Sequence, residues 1–254
     1  GSNVLSAGAG GGLQSSSREN GSNVKLSPPN VIFILLDDLG WSDMGYQSDD
    51  FGPQGVTENM DAMAAGGVKL NNFYTMHQCT PSRGALMTGR YPHRLGLQFD
   101  QAISLTSPFG MPASETTIAE NFKSAGYETH LVGKWHLGHH TEQSLPHNRG
   151  FDSFLGYLTG SEDYLEHTVE VAVDGEPVTF VDFGRGDPDG GFVPHPAAEG
   201  EYSSTLFVDR ALELASERQE RARRAEAAAT ASERAGGGGG GGGGGTALEE
   251  EEQA

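Results

Sequence analysis

Cys79 is the one cysteine of the 254-residue chain, and it opens the run Cys79-Thr80-Pro81-Ser82-Arg83. Thr80 suits a helix N-cap, Pro81 a first helical position and Gly89 a stop, so the spacing predicts a helix over residues 81–88 with Cys79 just ahead of it. An anion held there would meet unpaired backbone N–H groups and the positive end of the helix dipole, and Arg83, four residues on, reaches the same side. That arrangement suits a tetrahedral oxyanion. Taken alone, a single cysteine is more often a small buried hydrophobe. Two further groups have spacing that can do chemistry. Asp37-Asp38 directly follows an apolar run, so both carboxylates are candidate ligands for a divalent cation, and a turn with a helix cap is the other reading. Lys134 and His136, two apart in extended chain, are expected on one side of a strand end, with an ordinary surface pair as the alternative.

Several elements must position these groups. Residues 31–36, Val-Ile-Phe-Ile-Leu-Leu, read as a central parallel strand buried on both faces. Functional groups gather at the carboxyl ends of such strands, where Asp37 and Asp38 stand. A short helix is predicted over 58–65, with Met60 and Met63 as core filler, and a strand over 68–74 leads towards Cys79. Ile118, Phe122 and Ala125 have helical spacing, and residues 129–132 read as the strand that carries Lys134 and His136. Alternation about Asp174-Gly175 signals a hairpin over 168–183, and the Gly/Pro/Asp-rich residues 183–200 read as loop. A helix is expected over 202–217. His139, His140 and His147 read as a polar loop, without the partners of a zinc site.

Composition narrows the class. Hydrophobic residues make up 35%, and the 38 glycines cluster near the two ends, which leaves an ordinary globular middle. We divide the chain into a disordered Gly/Ser-rich lead (1–27), a folding part (28–217) and a low-complexity charged, poly-glycine and acidic tail (218–254). The net charge of −19 disfavours nucleic acid or anionic lipid as a general partner. No run approaches the ~18 apolar residues of a membrane span, and one cysteine permits no internal disulfide. The opening residue is Gly1, and no signal-peptide pattern precedes residue 28, so the chain reads as a fragment or a processed product. Asn20-Gly21-Ser22 is a formal glycosylation sequon.

Cys79-x-Pro81-Ser82-Arg83 followed by Leu86-Met87-Thr88-Gly89 resembles the sulfatase signature. Three other segments extend the likeness in family order: Pro29-Asn30-Val31 through Asp37-Asp38, Gly133-Lys134-Trp135-His136-Leu137-Gly138, and Gly150-Phe151-Asp152-x-Phe154-x-Gly156. Tyr157 to Tyr164 is most similar to the arylsulfatase B (N-acetylgalactosamine-4-sulfatase) branch. Gln78 departs from the apolar residue usual before the cysteine.

The resemblance implies an alkaline-phosphatase-like α/β fold, a mixed and largely parallel sheet flanked by helices, truncated on its C-terminal side. It implies that residue 79 is converted to formylglycine by the formylglycine-generating enzyme, and that one hydroxyl of the hydrated aldehyde attacks the sulfur of a sulfate ester, aryl or glycan. One calcium ion would lie on Asp37, Asp38 and residue 79. Arg83 and Lys134 would face the sulfate oxygens, His136 would contact the hydrated aldehyde, and Ser161 is a candidate for the substrate rim. A lysosomal or extracellular setting goes with the family. Its remaining ligand pair, histidine and lysine have no counterpart in the sequence, so an inactive fragment is the alternative. A phosphatase or phosphodiesterase of the same superfamily is a more distant one, opposed by the cysteine.

Overall fold

A computed structural model describes residues 4–7, 28–48, 57–98, 103–195 and 198–236. The sequon at Asn20, most of the lead and residues 237–254 lie outside the described residues. The chain divides into two compact units, residues 1–200 and 201–254.

The first unit carries a four-stranded mixed sheet. Strand β3 (His130–Val132) runs parallel to β4 (Ser153–Gly156), β4 pairs antiparallel with β7 (Gly184–Asp187), and β7 with β8 (Gly191–Pro194). β7 and β8 correct the expectation of a loop over 183–200, since the Pro- and Gly-rich turn between them lets two short strands pair. The predicted hairpin is present as β5 (Thr168–Val173) and β6 (Glu176–Val181), with Asp174 at φ 53° and Gly175 at φ 89° making a two-residue turn.

The apolar run at 31–36 behaves otherwise than expected. Its strand, β2 (Ile32–Leu35), pairs antiparallel with β1 (Val4–Ala7) in a separate two-stranded sheet, and Ile32 is 62% exposed. Among the described residues it is therefore no central parallel strand, and Val4–Ala7 forms a strand within the lead expected to be disordered. Residues 68–74 are irregular and not a strand, with Val68 and Tyr74 open to solvent. Partial alternation there finds no ladder to join.

Helix α1 (Glu58–Gly66) is close to its predicted bounds, although Met63 is exposed and not core filler. Helix α2 (Cys79–Thr88) starts two residues before the predicted span, and α3 (Pro92–Leu95) follows it. Helix α4 (Ile118–Ser124) begins with a capping box, in which the Thr117 hydroxyl accepts from the Glu120 N–H and the Glu120 carboxylate accepts from the Thr117 N–H. Between the helices and the sheet lies one core that includes Leu95, Leu97, Ile103, Met111, Trp135, Leu137, Phe151 and Phe154. Trp135 is 1% exposed, packs edge-on against Phe151 at 6.3 Å and donates its indole N–H to the carbonyls of Gly138 and Ser144. A fully buried side chain of this kind is worth about 2–3 kcal/mol. It plugs the core between Lys134 and His136 and so fixes the backbone that carries both.

In the second unit, α5 (Ser203–Gly236) runs well past the predicted helix end and through much of the stretch assigned to the tail. Alanine, arginine and glutamate are strong helix formers, and Glu220 pairs with Arg224 at 2.8 Å across one turn, so the stretch needs no apolar stripe to be helical.

Candidate active site

Cys79 is the first residue of α2, with Gln78 as N-cap, so it belongs to the helix mouth itself. Its neighbour Thr80 is fully buried and donates its hydroxyl to the His136 carbonyl at 3.0 Å, which ties the start of α2 to the segment after β3. Asp37 and Asp38 follow β2, and Asp38 has φ 54°, a tight turn that brings both carboxylates towards Cys79. Among the described residues, Asp37, Asp38 and Cys79 form the group able to hold a metal ion, with one donor atom from each within 4.8 Å of the others.

Two cations converge on the first carboxylate. Lys134 Nζ donates to Asp37 Oδ2 at 2.6 Å, Arg83 Nη2 lies 3.7 Å from Asp37 Oδ1, and Cys79 Sγ lies 3.8 Å from Asp37 Oδ2. Arg83 and Lys134 are 8% and 9% exposed. Arg83 Nη1 also donates to the Lys134 carbonyl at 2.6 Å, and among the described residues its Nε is buried without a hydrogen-bond partner. Burial pushes the Asp37 carboxyl up, but the hydrogen bond and charge of Lys134, the charge of Arg83 and the Cys79 contact outweigh it, and the carboxyl lies below its ordinary 3.8. The site is thus a carboxylate pair and a sulfur atom beside two buried positive charges, one of which keeps an unused N–H donor. It can hold a cation on its acidic side and face an anion with its basic one.

The expectation that Lys134 and His136 project to one side is not met. Gly133 has φ 105° and His136 φ 55°, so the chain leaves extended geometry after β3. Lys134 turns to Asp37, whereas the buried His136 ring places Nε2 3.0 Å from the Ile103 carbonyl oxygen. His136 meets the site through its main chain, by the Thr80 bond. His139 Nε2 lies 2.9 Å from the Leu105 carbonyl oxygen, and His147, of the expected polar loop, is buried and bonds Glu142 at 2.9 Å. Ser161 is exposed, and its carbonyl accepts from the Thr159 hydroxyl.

Sequence reasoning gave Tyr157 no role. Burial drives its phenol far above the ordinary 10, Arg83 pulls the value down, and Asp37 and Glu162 push it up, so the ring lies within the field of the same charges. The parallel register held the clue. The pairing of β3 with β4 ends at Val132 opposite Leu155, and the next bonds run from Gly133 N–H to the Leu155 carbonyl and from Trp135 N–H to the Tyr157 carbonyl.

A partial α/β fold with a carboxylate pair and buried cations at a helix mouth defines a class of site, and comparison with known proteins gives the family. The Sulfatase family model matches residues 29–223. The chain is 45% identical over 141 residues to mouse (Mus musculus) arylsulfatase J, covering 56% of this chain and 23% of that protein. It is 42% identical over 136 residues to human (Homo sapiens) N-acetylgalactosamine-6-sulfatase, covering 51% and 25%. The crystal structure of Ps i-CgsB superposes with a TM-score of 0.54 at 30% identity, covering 70% of this chain and 40% of that one. The chain belongs to the sulfatase family. It spans about a quarter of the length of the curated relatives it matches. The α/β fold is that expected of the family, in part, although β3 with β4 is the one parallel pair among the described strands. No helix among the described residues is long and apolar enough to cross a membrane.

Proposed function

We propose that the protein is a sulfuric ester hydrolase that works through an aldehyde made from Cys79, in a lysosomal or extracellular setting. The observation that carries this reading is the convergence of Lys134 and Arg83 on Asp37 beside Cys79, at the first turn of α2. A sulfate monoester resists attack because its oxygens repel a nucleophile, so hydrolysis needs positive groups at those oxygens and a positioned oxygen nucleophile. The donor set fits calcium on one condition. Asp37 and Asp38 are hard oxygen ligands, whereas thiolate sulfur suits softer metals, so calcium fits once residue 79 carries oxygen in place of sulfur. With calcium on Asp37, Asp38 and residue 79, the ion would supply charge neutralisation at the sulfate, and the hydrated aldehyde a nucleophilic oxygen. Arg83 and Lys134 hold the anion and, being buried, act where their charge is little screened. His136 is assigned the proton for the leaving alcohol, a role that requires its ring to turn from the Ile103 carbonyl oxygen it faces here. A sulfated glycan is the substrate class we favour, since one relative is named for an amino-sugar sulfate.

One observation favours a second reading, an inactive fragment. Calcium takes about 6–8 oxygen ligands, and the described residues bring three candidate groups together. A phosphatase of the same superfamily is disfavoured by cysteine in place of serine or threonine at 79.

The test is co-expression with the formylglycine-generating enzyme, mass analysis of the tryptic peptide carrying residue 79, and release of sulfate from an aryl sulfate with and without calcium. We expect the aldehyde to form, and sulfate release to need calcium and to vanish in Cys79→Ala. Hydrolysis persisting in Cys79→Ala would sink the proposal. Aldehyde without any release would favour the inactive fragment.

A further inference from the structure

Asp182 lies between β6 and β7 and is 5% exposed. Its surroundings explain why an acid is buried there. The ladder between β4 and β7 ends at Gly156 opposite Gly184, so the N–H groups of Leu158 and Thr159 run on past the last strand partner into the interior. Left unpaired, each would cost about 1–3 kcal/mol. Asp182 takes both: Oδ1 accepts from Leu158 N–H at 3.0 Å and Oδ2 from Thr159 N–H at 2.9 Å, and the Thr159 hydroxyl lies against Oδ2. Its own N–H donates to the His167 carbonyl at 2.9 Å, and the next residue, Phe183, is fully buried, so the carboxylate is firmly based.

The backbone so fixed is the one that the site leans on. Tyr157 accepts from Trp135 N–H at 3.0 Å, and Leu158 from His136 N–H at 3.2 Å. His136 in turn accepts from the Thr80 hydroxyl at 3.0 Å, one residue from Cys79. Gly160 closes over the His136 ring so tightly that a Cβ there would lie 2.9 Å from Cε1. A continuous series of hydrogen bonds therefore joins Asp182 to the mouth of α2.

We propose that Asp182 is a positioning residue for the site, fixing the Leu158-Thr159 backbone and through it the Trp135-His136 segment that seats Thr80 and the His136 ring. Burial pushes the Asp182 carboxyl above its ordinary range despite the hydrogen bonds from Thr159 and Leu158 and the charge of His139, so the acid is retained at a cost to itself. The inference rests on the reading of Cys79, Lys134 and His136 as one site, and its test is independent of turnover.

The test uses the whole chain uniformly labelled with 15N, as wild type and as Asp182→Asn, Asp182→Ala, Thr159→Val and Val171→Ala. The last thins packing in the β5–β6 hairpin, away from the bonded series. Two quantities are read: the His136 imidazole 1H–15N signal, and hydrogen exchange of the Trp135 and His136 amides. Asp182→Asn is expected to shift the imidazole signal and speed both amides about tenfold, as for loss of roughly one buried hydrogen bond, with Asp182→Ala going further. Thr159→Val keeps both backbone bonds to Asp182 and should stay close to wild type, as should Val171→Ala. An unchanged His136 signal and exchange in Asp182→Asn would overturn the proposal, as would an equal shift in Val171→Ala. Global unfolding of both Asp182 variants while the other two fold would also overturn it, because Asp182 would then be a general folding residue.

Discussion

Asp152 shows how a single carboxyl sets an acid limit on this fold. Its Oδ1 lies 2.6 Å from Lys123 Nζ on α4, and its Oδ2 accepts the N–H of Thr129 at 2.9 Å, so it ties α4 to the start of β3. Burial raises its carboxyl, but the Lys123 hydrogen bond, the Thr129 bonds and the Lys123 charge win, and the value falls below the ordinary 3.8. A carboxyl held low in the folded state contributes stability that is fully present above the unfolded value and is lost as pH falls through the folded one. Lys123→Met should therefore raise the folded value, lower stability near neutral pH and flatten its loss in acid, as read from urea midpoints between pH 2 and 6, a window of about two units either side of the ordinary carboxyl range. An acid limb of unchanged slope would contradict this. Residue types and spacing marked Asp37, Cys79, Arg83 and Lys134 as candidates, and the resemblance to the sulfatase family set them above the plainer readings of a turn, a buried thiol and a surface pair. They could not show where the His136 ring goes, because its left-handed backbone breaks the alternation on which that expectation rested. Nor could they show Tyr157 or Asp182, whose parts depend on partners brought close by the sheet.

Among the elements, the end of β4 comes very close to the turn that follows β3. Gly156 has φ 154°, and a Cβ there would lie 2.0 Å from the Gly133 carbonyl oxygen, in the turn that launches Lys134. Gly156→Ala should cost on the order of 3 kcal/mol or more in denaturant unfolding, whereas at Gly126, with open space around the position, alanine meets backbone strain alone and should cost about 1 kcal/mol. Thr117→Ala removes the α4 cap and also a hydroxyl bonded to the Arg149 carbonyl at 2.9 Å, and about 1–2 kcal/mol of lost stability is expected by the same measurement. A peptide of residues 203–236 should be about half helical near 0 °C by circular dichroism, since its length and alanine content suffice without a packing surface. The Asp-Gly turn made the β5–β6 hairpin readable, and the Ile118/Phe122/Ala125 spacing made α4 so. Residues 68–74 and 184–194 misled in opposite directions, since strand pairing depends on a distant partner that local alternation does not reveal.

For the molecule as a whole, the net charge of −19 repels anions in general, so a sulfate would depend on local cations such as the buried Arg83 and Lys134. Once residue 79 carries the aldehyde, calcium at one hundred times its dissociation constant should stabilise the protein by about 2.7 kcal/mol. Asp37→Asn and Asp38→Asn should each reduce that gain in thermal unfolding, and an equal gain in all three proteins would place the ion elsewhere. Fold class was readable at this scale because four motifs stand in family order. The position of 31–36 was not, because an apolar run states a wish for burial and not who grants it. Val31, Ile32, Phe33 and Ile34 lie wet, 42–62% exposed, a few residues before the carboxylate pair. A surface that dried this ribbon would be expected to restrain Asp37 as well, and the calcium response should then depend on protein concentration.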